Sequence, residues 1–416
     1  MEKIIIQGKE KLYGSVKISG MKNSALPIIF ATLLIKGESV IENIPIVSDT
    51  CNALSILSEM GADVKYEDLH TVRIKTENID INMLNYGLVS KMRASSYLMG
   101  VFLSLFGRVR IPYPGGCNFG CRPIDEHLNG FSQMGALCKE TDGFVEITTD
   151  KKLKSGKITL DKISVGATIN MILASALTEG RTVIHNVARE PHVDDLISFL
   201  NKCGADIKRS GGAICVNGVK SLSGARYRIY PDMIEALTYI SCVGASKGVI
   251  QLKDISVEHL WDTIPLFEYM GMDIQCFNGN ALNVRCCIKL CGAHVKTKPY
   301  PGFPTDFHPQ FSSLLCFTNG GGSIEETIFP GRFAYVNELK KMGGRVDKTD
   351  NKVFISPSDL IGSETDATDL RAGAALIVAS LGARGESIIN NIGYILRGYE
   401  DIVGKLSSLG AIIKII

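Results

Sequence analysis

No stretch of about 18 or more apolar residues runs through this chain of 416 residues, so no membrane-spanning helix is expected. The opening segment, MEKIIIQGKEKLYG, holds too short an apolar run for a signal peptide. An excess of one charge is missing as well: 45 basic residues face 43 acidic ones, a net charge of +2. That near balance weighs against a broad nucleic-acid surface but leaves room for a local anion pocket. The twelve cysteines form no regular framework. Cys286, Cys287 and Cys291 cluster, yet no second Cys-x-x-Cys pair or His-x-x-x-His completes a zinc site. Most of the cysteines read as buried thiols of a reducing cytosol. These absences together predict a soluble, intracellular protein with neither a membrane nor a nucleic-acid partner.

What is present is a repeat. At 45% hydrophobic residues the chain is rich enough for a large core, and it is long enough for two or three domains. One half-signature, an apolar helix end followed by Gly and an extended run, recurs at Gly37, Gly107, Gly180, Gly248, Gly322 and Gly385. A second, Leu/Phe-x-x-Met/Leu/Cys-Gly before a short extended run, recurs at Gly61, Gly135, Gly204, Gly271, Gly343 and Gly410. The paired glycines lie 24, 28, 24, 23, 21 and 25 residues apart, and the second signature recurs at steps of 74, 69, 67, 72 and 67. Each unit reads as helix, strand, helix, strand and a closing strand, with each Gly as a helix C-cap of positive φ. The sixth unit stops at Ile416 without its closing strand. The extended segments at 3–8 and 14–20 are left over at the front, so the N-terminus is expected to pack with the C-terminal half. The break at Tyr230-Pro231-Asp232 splits the units three and three: a first lobe over 22–230, and a second over 1–21 and 231–416. Clefts between lobes are common ligand sites.

The stretch from Pro112 to His127 is the most pointed feature. Two prolines stiffen its entrance, and Gly115, Gly116 and Gly120 let the backbone bend. Cys117 sits in its middle, with Arg122, Asp125 and His127 close behind. Such a loop can be a catalytic lid, and a surface turn is the plainer alternative. Lys22 and Asn23 stand at the N-terminus of a helix read over 24–34, where backbone N–H groups favour anions. Arg93 opens another apolar helix. The N–H groups of Ser164, Val165 and Gly166, ahead of a helix over 168–177, can hold a phosphate. Asp306 begins a further helix, either as its N-cap or as a carboxylate that takes or positions a hydroxyl proton. If the element ends converge, Lys22, Arg93, Arg122, Lys162, Arg332, Arg371 and Arg397 make a cationic pocket for a substrate with several negative charges. That pocket would also lower the pKa of Cys117.

Eight segments carry a family resemblance: SGMKNSALPI, KMRASS, PGGCNFGCRPIDEH, KISVGAT, FPTDFHPQ, GRFAYVNEL, ATDLRA and RGYE. Over essentially its whole length the chain resembles the enolpyruvyl transferases. It is most similar to the branch that acts on UDP-N-acetylglucosamine at the entry to bacterial peptidoglycan synthesis. The resemblance implies a two-lobed, inside-out α/β barrel of six βαβαββ repeats, three per lobe, with helices inside and sheets outside. It implies transfer of the enolpyruvyl group of phosphoenolpyruvate to the sugar 3-hydroxyl, with loss of phosphate and no metal or organic cofactor. It also implies roles. Lys22, Arg122 and Arg397 would hold phosphoenolpyruvate, and Cys117 would be the general acid at C3, forming a covalent adduct and reacting with the epoxide fosfomycin. Asp306 would position or deprotonate the hydroxyl, and Asn23 would bond the sugar. Arg93, Arg122, Pro123, Ile124, Asp125, Glu126, Lys162, Ser164, Val165, Gly166 and Ile328 would line the nucleotide-sugar site, and Asp369 and Arg371 would help assemble it. Nothing in the sequence fixes an oligomeric state, and a monomer remains open.

The chain departs from the family pattern at several places. No lysine lies near 46–48. Met233 and Leu396 replace the usual Arg and Asp, His192 replaces a Glu, and Cys121 adds a second thiol. A transferase with another nucleotide or phosphorylated acceptor is the alternative enzyme. A non-catalytic scaffold for anions is the alternative class, and the joint presence of Lys22, Cys117, Asp306 and Arg397 argues against it.

Overall fold

The computed structural model describes residues 2–113, 115 and 124–416. These residues divide into two compact units, one of 20–115 with 124–230, the other of 2–19 with 231–416. Both are built from the same repeat. Each repeat begins with an apolar helix: Lys22–Ala31, Tyr97–Phe106 and Val165–Ser175 in the first unit, Met233–Ser246, His308–Leu315 and Leu370–Gly382 in the second. In the second unit every residue of these helices is buried. The reason lies in composition, because Leu370–Gly382 (LRAGAALIVASLG) carries small or apolar residues on all faces rather than along one stripe. The three helices pack on one another, and sheets lie against them. The second helix of each repeat, such as Pro191–Lys202, has one apolar face and one solvated face.

The sheets follow one plan. The strand after the first helix pairs antiparallel with the closing strand, which pairs in turn with the strand after the second helix. In the third repeat Arg181–His185 pairs with Ala213–Asn217, which pairs with Asp206–Ser210. The parallel edge strand comes from the preceding repeat, as Lys157–Thr159 does here. The sixth repeat completes itself with the N-terminus. Ile4–Gln7 takes the closing position, antiparallel to both Glu386–Asn390 and Ile412–Ile415. Tyr13–Lys17 then supplies the parallel edge of the fourth repeat, beside Val249–Lys253. The front segments therefore supply the pairing that the truncated sixth repeat lacks, as expected. Among the described residues the sheet of the second repeat has three strands, with no parallel edge strand on Arg108–Pro112.

Two expectations need correction. All six second-signature glycines have φ between 84° and 104°, but in the first signature Gly248 and Gly322 are not left-handed. There Lys247 (φ 64°) and Gly321 (φ 66°) turn the chain one residue earlier. Nor are most cysteines buried. Of ten described, all free thiols, four are buried and four exposed. Cys51 lies on an outer helix, and Cys276 and Cys291 lie on strands whose side chains alternate toward solvent.

Candidate active site

In the 20–230 unit the helix starts are fixed by short polar contacts. Lys22 is the first residue of its helix, with Met21 rather than Asn at the N-cap. Its ammonium donates to Asp49 Oδ2 at 2.8 Å, and both side chains are largely buried. Arg93 opens the turn Arg93–Ser96. Glu126 turns inward from the helix Asp125–Gln133, and its two oxygens accept the N–H groups of Asp161 (3.0 Å) and Lys162 (3.2 Å). Ser164 caps the next helix by accepting from the N–H of Ala167, so that helix starts at Val165, three residues before the expected position. His127 lies against Gly166 so closely that a Cβ there would sit 2.8 Å from the ring. Asn170 organises this contact. Its amide donates to His127 Nδ1 (2.7 Å) and to the carbonyl of Ser96, and its oxygen accepts from the N–H of Gly100. Burial first, and the Arg93 charge second, lower the His127 pKa to about 3, so the ring is neutral. Glu126 is thus tied to Asp161 and Lys162, and His127 to Gly166 and, through Asn170, to the end of the Arg93–Ser96 turn. Asp125 and Lys162 are exposed, and Ile124 is buried.

In the other unit charged groups face one another. Asp306 sits in the turn Thr305–Phe307, and Phe307, not Asp306, precedes the helix His308–Leu315 as its N-cap. Asp306 Oδ1 accepts from Arg332 at 2.6 Å and Oδ2 from Arg371 at 3.1 Å. Both arginines are buried, whereas the carboxylate keeps 28% of its exposure. Burial alone would raise the Asp306 pKa, but the two guanidiniums bring it far below the usual carboxylate range. Asp369 caps the helix Leu370–Gly382 by accepting from the N–H groups of Arg371 and Ala372, which fixes the start of the arginine. Arg371 also donates to Tyr399 Oη at 3.3 Å, and that hydroxyl contacts Thr238 and Gln310. Arg397 is the last residue of the short turn Ile392–Arg397, two positions from Tyr399.

Behind Asp306 lies a fully buried carboxylate. Glu326 accepts five hydrogen bonds: from the Thr297 and Thr305 hydroxyls, from His308 Nδ1 (2.9 Å), and from the N–H groups of Ile328 and Phe329. Burial raises its pKa, but these donors, His308 first, bring it down to about 2. Thr305 accepts from Arg332 in turn, so Glu326 is linked through Thr305 and Arg332 to Asp306. His308 Nε2 accepts from Tyr335 Oη at 2.8 Å, which is the pattern of a neutral imidazole.

A family model described as EPSP synthase (3-phosphoshikimate 1-carboxyvinyltransferase) matches residues 6–406. UDP-N-acetylglucosamine 1-carboxyvinyltransferase from Halothermothrix orenii is 45% identical over 415 residues, covering 100% of this chain and 99% of its own. The protein of the same name from Finegoldia magna is 41% identical with the same coverage. This chain belongs to the EPSP synthase family of enolpyruvyl transferases. Among solved structures, the enolpyruvyl transferase NikO from Streptomyces tendae superposes with a TM-score of 0.91 at 26% identity, covering 100% and 99% of the two chains. EPSP synthase from Acinetobacter baumannii gives 0.75 at 16% identity over the full length of both, a likeness of fold.

The transferase fold is therefore the one expected, six α/β repeats in two sets of three. Cys117, Arg122 and Pro123 lie outside the described residues. Gly115, at the entrance of their loop, packs so closely on the Ser90 carbonyl that a Cβ would overlap it. The partners of the expected residues were missed. Asp49, Thr305, His308, Tyr399 and Asn170 received no role, although three of them stand inside the quoted motifs FPTDFHPQ and RGYE. Glu326 lies just beyond a strand and carries no local signal. Only the fold shows that five donors converge on it.

Proposed function

We propose that this transferase moves the enolpyruvyl group of phosphoenolpyruvate to the 3-hydroxyl of UDP-N-acetylglucosamine and releases phosphate, in the first committed step of peptidoglycan synthesis. The full-length relatives bearing that activity in their names support the acceptor. The observation that carries the chemistry is Asp306, ionised, partly exposed and held between two buried arginines. The sugar oxygen bonds to C2 of phosphoenolpyruvate as its hydroxyl proton passes to Asp306, while C3 takes a proton from Cys117. Loss of that C3 proton, with departure of phosphate from C2, restores the double bond. Negative charge shifts in both steps, so fixed cations lower both barriers.

Lys22, Arg122 and Arg397 hold the phosphate and carboxylate of phosphoenolpyruvate. Cys117 protonates C3. Asn23, Arg93, Asp125, Lys162, the 164–166 turn and Ile328 take the nucleotide sugar, with Pro123 and Ile124 framing it. In the geometry seen here Glu126 and Asp369 act through others, Glu126 by setting the 161–162 backbone and Asp369 by setting Arg371. Asp306 between two guanidiniums is a weak base, and in this arrangement it orients the sugar hydroxyl. It gains basicity once a substrate anion draws an arginine away. The domain boundaries fall at 21/22 and 230/231 in this reading, and the enzyme works in the cytoplasm. Among the described residues no helix is long and apolar enough to cross a membrane.

Phosphate release from phosphoenolpyruvate, measured with and without UDP-N-acetylglucosamine, tests the proposal. Release that depends on this acceptor is expected. Folded protein that releases phosphate only with a different acceptor would overturn the substrate assignment.

A further inference from the structure

The segment that carries Arg397 has little backbone structure of its own. Residues 398–400, between the short turn Ile392–Arg397 and the helix Ile402–Ser408, belong to no helix or strand. The N–H groups of Gly398 and Tyr399 return to the Ile395 carbonyl. Side chains supply further anchors. The Tyr399 hydroxyl contacts Arg371, Thr238 and Gln310. Glu400, half-buried, accepts from the Ser19 hydroxyl at 2.6 Å.

Ser19 is a node of four bonds. Its N–H donates to Glu235 Oε2 and its carbonyl accepts from the N–H of Asp232, both at 2.8 Å. Its hydroxyl accepts from the Lys405 ammonium at 2.6 Å and donates to Glu400. Lys405 also donates to Glu235 Oε1 at 2.6 Å, and Glu235 is only 3% exposed. Glu235 and Thr238 lie three residues apart on the helix Met233–Ser246, so one helix face anchors Tyr399 directly and Glu400 through Ser19. Asp232 fixes the start of that helix by accepting from the N–H groups of Ile234 and Glu235.

A buried pair between Lys405 and Glu235 would tie their two helices together without a serine. Here a second ammonium proton goes to the Ser19 oxygen, which polarises its O–H towards the Glu400 carboxylate. A hydroxyl bonded to a carboxylate at this length is among the stronger hydrogen bonds. The chain of bonds ends three residues from Arg397, on the segment with the least backbone support.

We propose that Ser19 is a positioning residue for Arg397. By holding Glu400, with Lys405 and Glu235 fixing its own place, it keeps the 397–400 segment in one conformation and the guanidinium where phosphoenolpyruvate needs it. This role rests on the proposed reading of Arg397 as a phosphoenolpyruvate ligand. Such support matters because a misplacement of about 1 Å at a substrate-holding group can cost on the order of a hundredfold in rate.

Steady-state kinetics of phosphate release, with thermal denaturation of each variant, tests the role. Ser19→Ala keeps both backbone bonds and the Lys405–Glu235 pair. It should lower kcat/KM for phosphoenolpyruvate roughly tenfold and leave KM for UDP-N-acetylglucosamine within about twofold of the parent. In a Glu400→Ala background the same change should have almost no further effect, since the two residues act through one bond. Equal losses for both substrates would overturn the role. So would a lower Tm with unchanged kinetics, or losses that multiply in the double variant. Arg397→Lys separates this role from the reading beneath it, and should lower kcat/KM for phosphoenolpyruvate more than Ser19→Ala does. If it leaves those kinetics unchanged, Arg397 is not a phosphoenolpyruvate ligand and both fall. If it lowers them while Ser19→Ala does not, the role of Ser19 alone falls.

Discussion

The two units repeat one topology and use the starts of their inner helices in different ways. In the 20–230 unit, the Lys22–Asp49 pair apart, the polar side chains turn mainly to the backbone. Glu126 holds the N–H groups of 161 and 162, Ser164 caps, and Asn170 joins Ser96, Gly100 and His127. In the other unit charged side chains turn to each other, with Asp306 between Arg332 and Arg371 and Glu326 behind them. The first arrangement fixes the positions of loops. The second concentrates charge around one partly exposed carboxylate. One repeat thus serves as a frame for shape in one place and for electrostatics in another, and mutations should separate the two.

The largest effect is expected at Asp306. Asp306→Asn keeps the shape and removes the charge, so kcat for phosphate release should fall at least about a hundredfold. KM should move much less. A rise in KM with kcat unchanged would place Asp306 with the shape-setting residues. Glu326→Gln comes next. The folded pKa of Glu326, about 2, lies below its ordinary 4.5. Its contribution is therefore complete above about pH 4.5 and is lost as pH falls through about 2, on the order of 3 kcal/mol in all. Thermal denaturation of the variant should show a lower Tm at neutral pH and a flatter loss of stability between those limits. Because Thr305 and Arg332 link Glu326 to Asp306, kcat should also fall about tenfold. An unchanged acid slope would mean that the five donors do not hold the carboxylate.

The repeat was legible because a helix end followed by Gly is a local signal, and six copies reinforce one another. The N-terminal strands could be placed by elimination, since only the sixth repeat lacked a partner. The residue motifs located Lys22, Asp306, Asp369 and Arg371, because each sits at the start of a helix that composition reveals. What the motifs did not show is which of these groups spend their bonds internally. Glu126 looks like a ligand residue in sequence, yet its oxygens are engaged by backbone N–H groups. Glu326 was invisible for the opposite reason. Its five donors come from 297, 305, 308, 328 and 329, and only tertiary pairing of Cys291–Lys296 with Asn319–Glu325 brings them together. Gly248 and Gly322 misled because the left-handed residue can shift by one place without changing the signature.

Smaller effects should appear in the 20–230 unit, and they should concern stability and binding rather than turnover. His127 is neutral and buried, with a pKa near 3 against an ordinary 6.5. The unfolded chain takes up that proton first, so stability is complete above about pH 6.5 and declines as pH falls towards 3. By pH 5 the loss is about 2 kcal/mol. His127→Gln should lower Tm at pH 7 through lost packing on Gly166, and should remove the decline between pH 6.5 and 5. A decline that persists would assign it to another group.

The smallest change, and the one that sharpens the comparison most, is Glu126→Gln. A glutamine can accept from one of the two N–H groups at 161 and 162, but its own amide then faces the other. The expected cost is about 1 kcal/mol, visible as a modest drop in Tm. The 161–162 backbone leads into Lys162 and the Ser164 cap, so KM for the nucleotide-sugar acceptor should rise a few-fold while kcat stays near that of the parent. Asp306→Asn should give the reverse split. If Glu126→Gln lowered kcat as strongly as KM rises, the division between a shape-setting unit and a charge-bearing unit would fail, and Glu126 would belong with the groups that act on the reacting atoms.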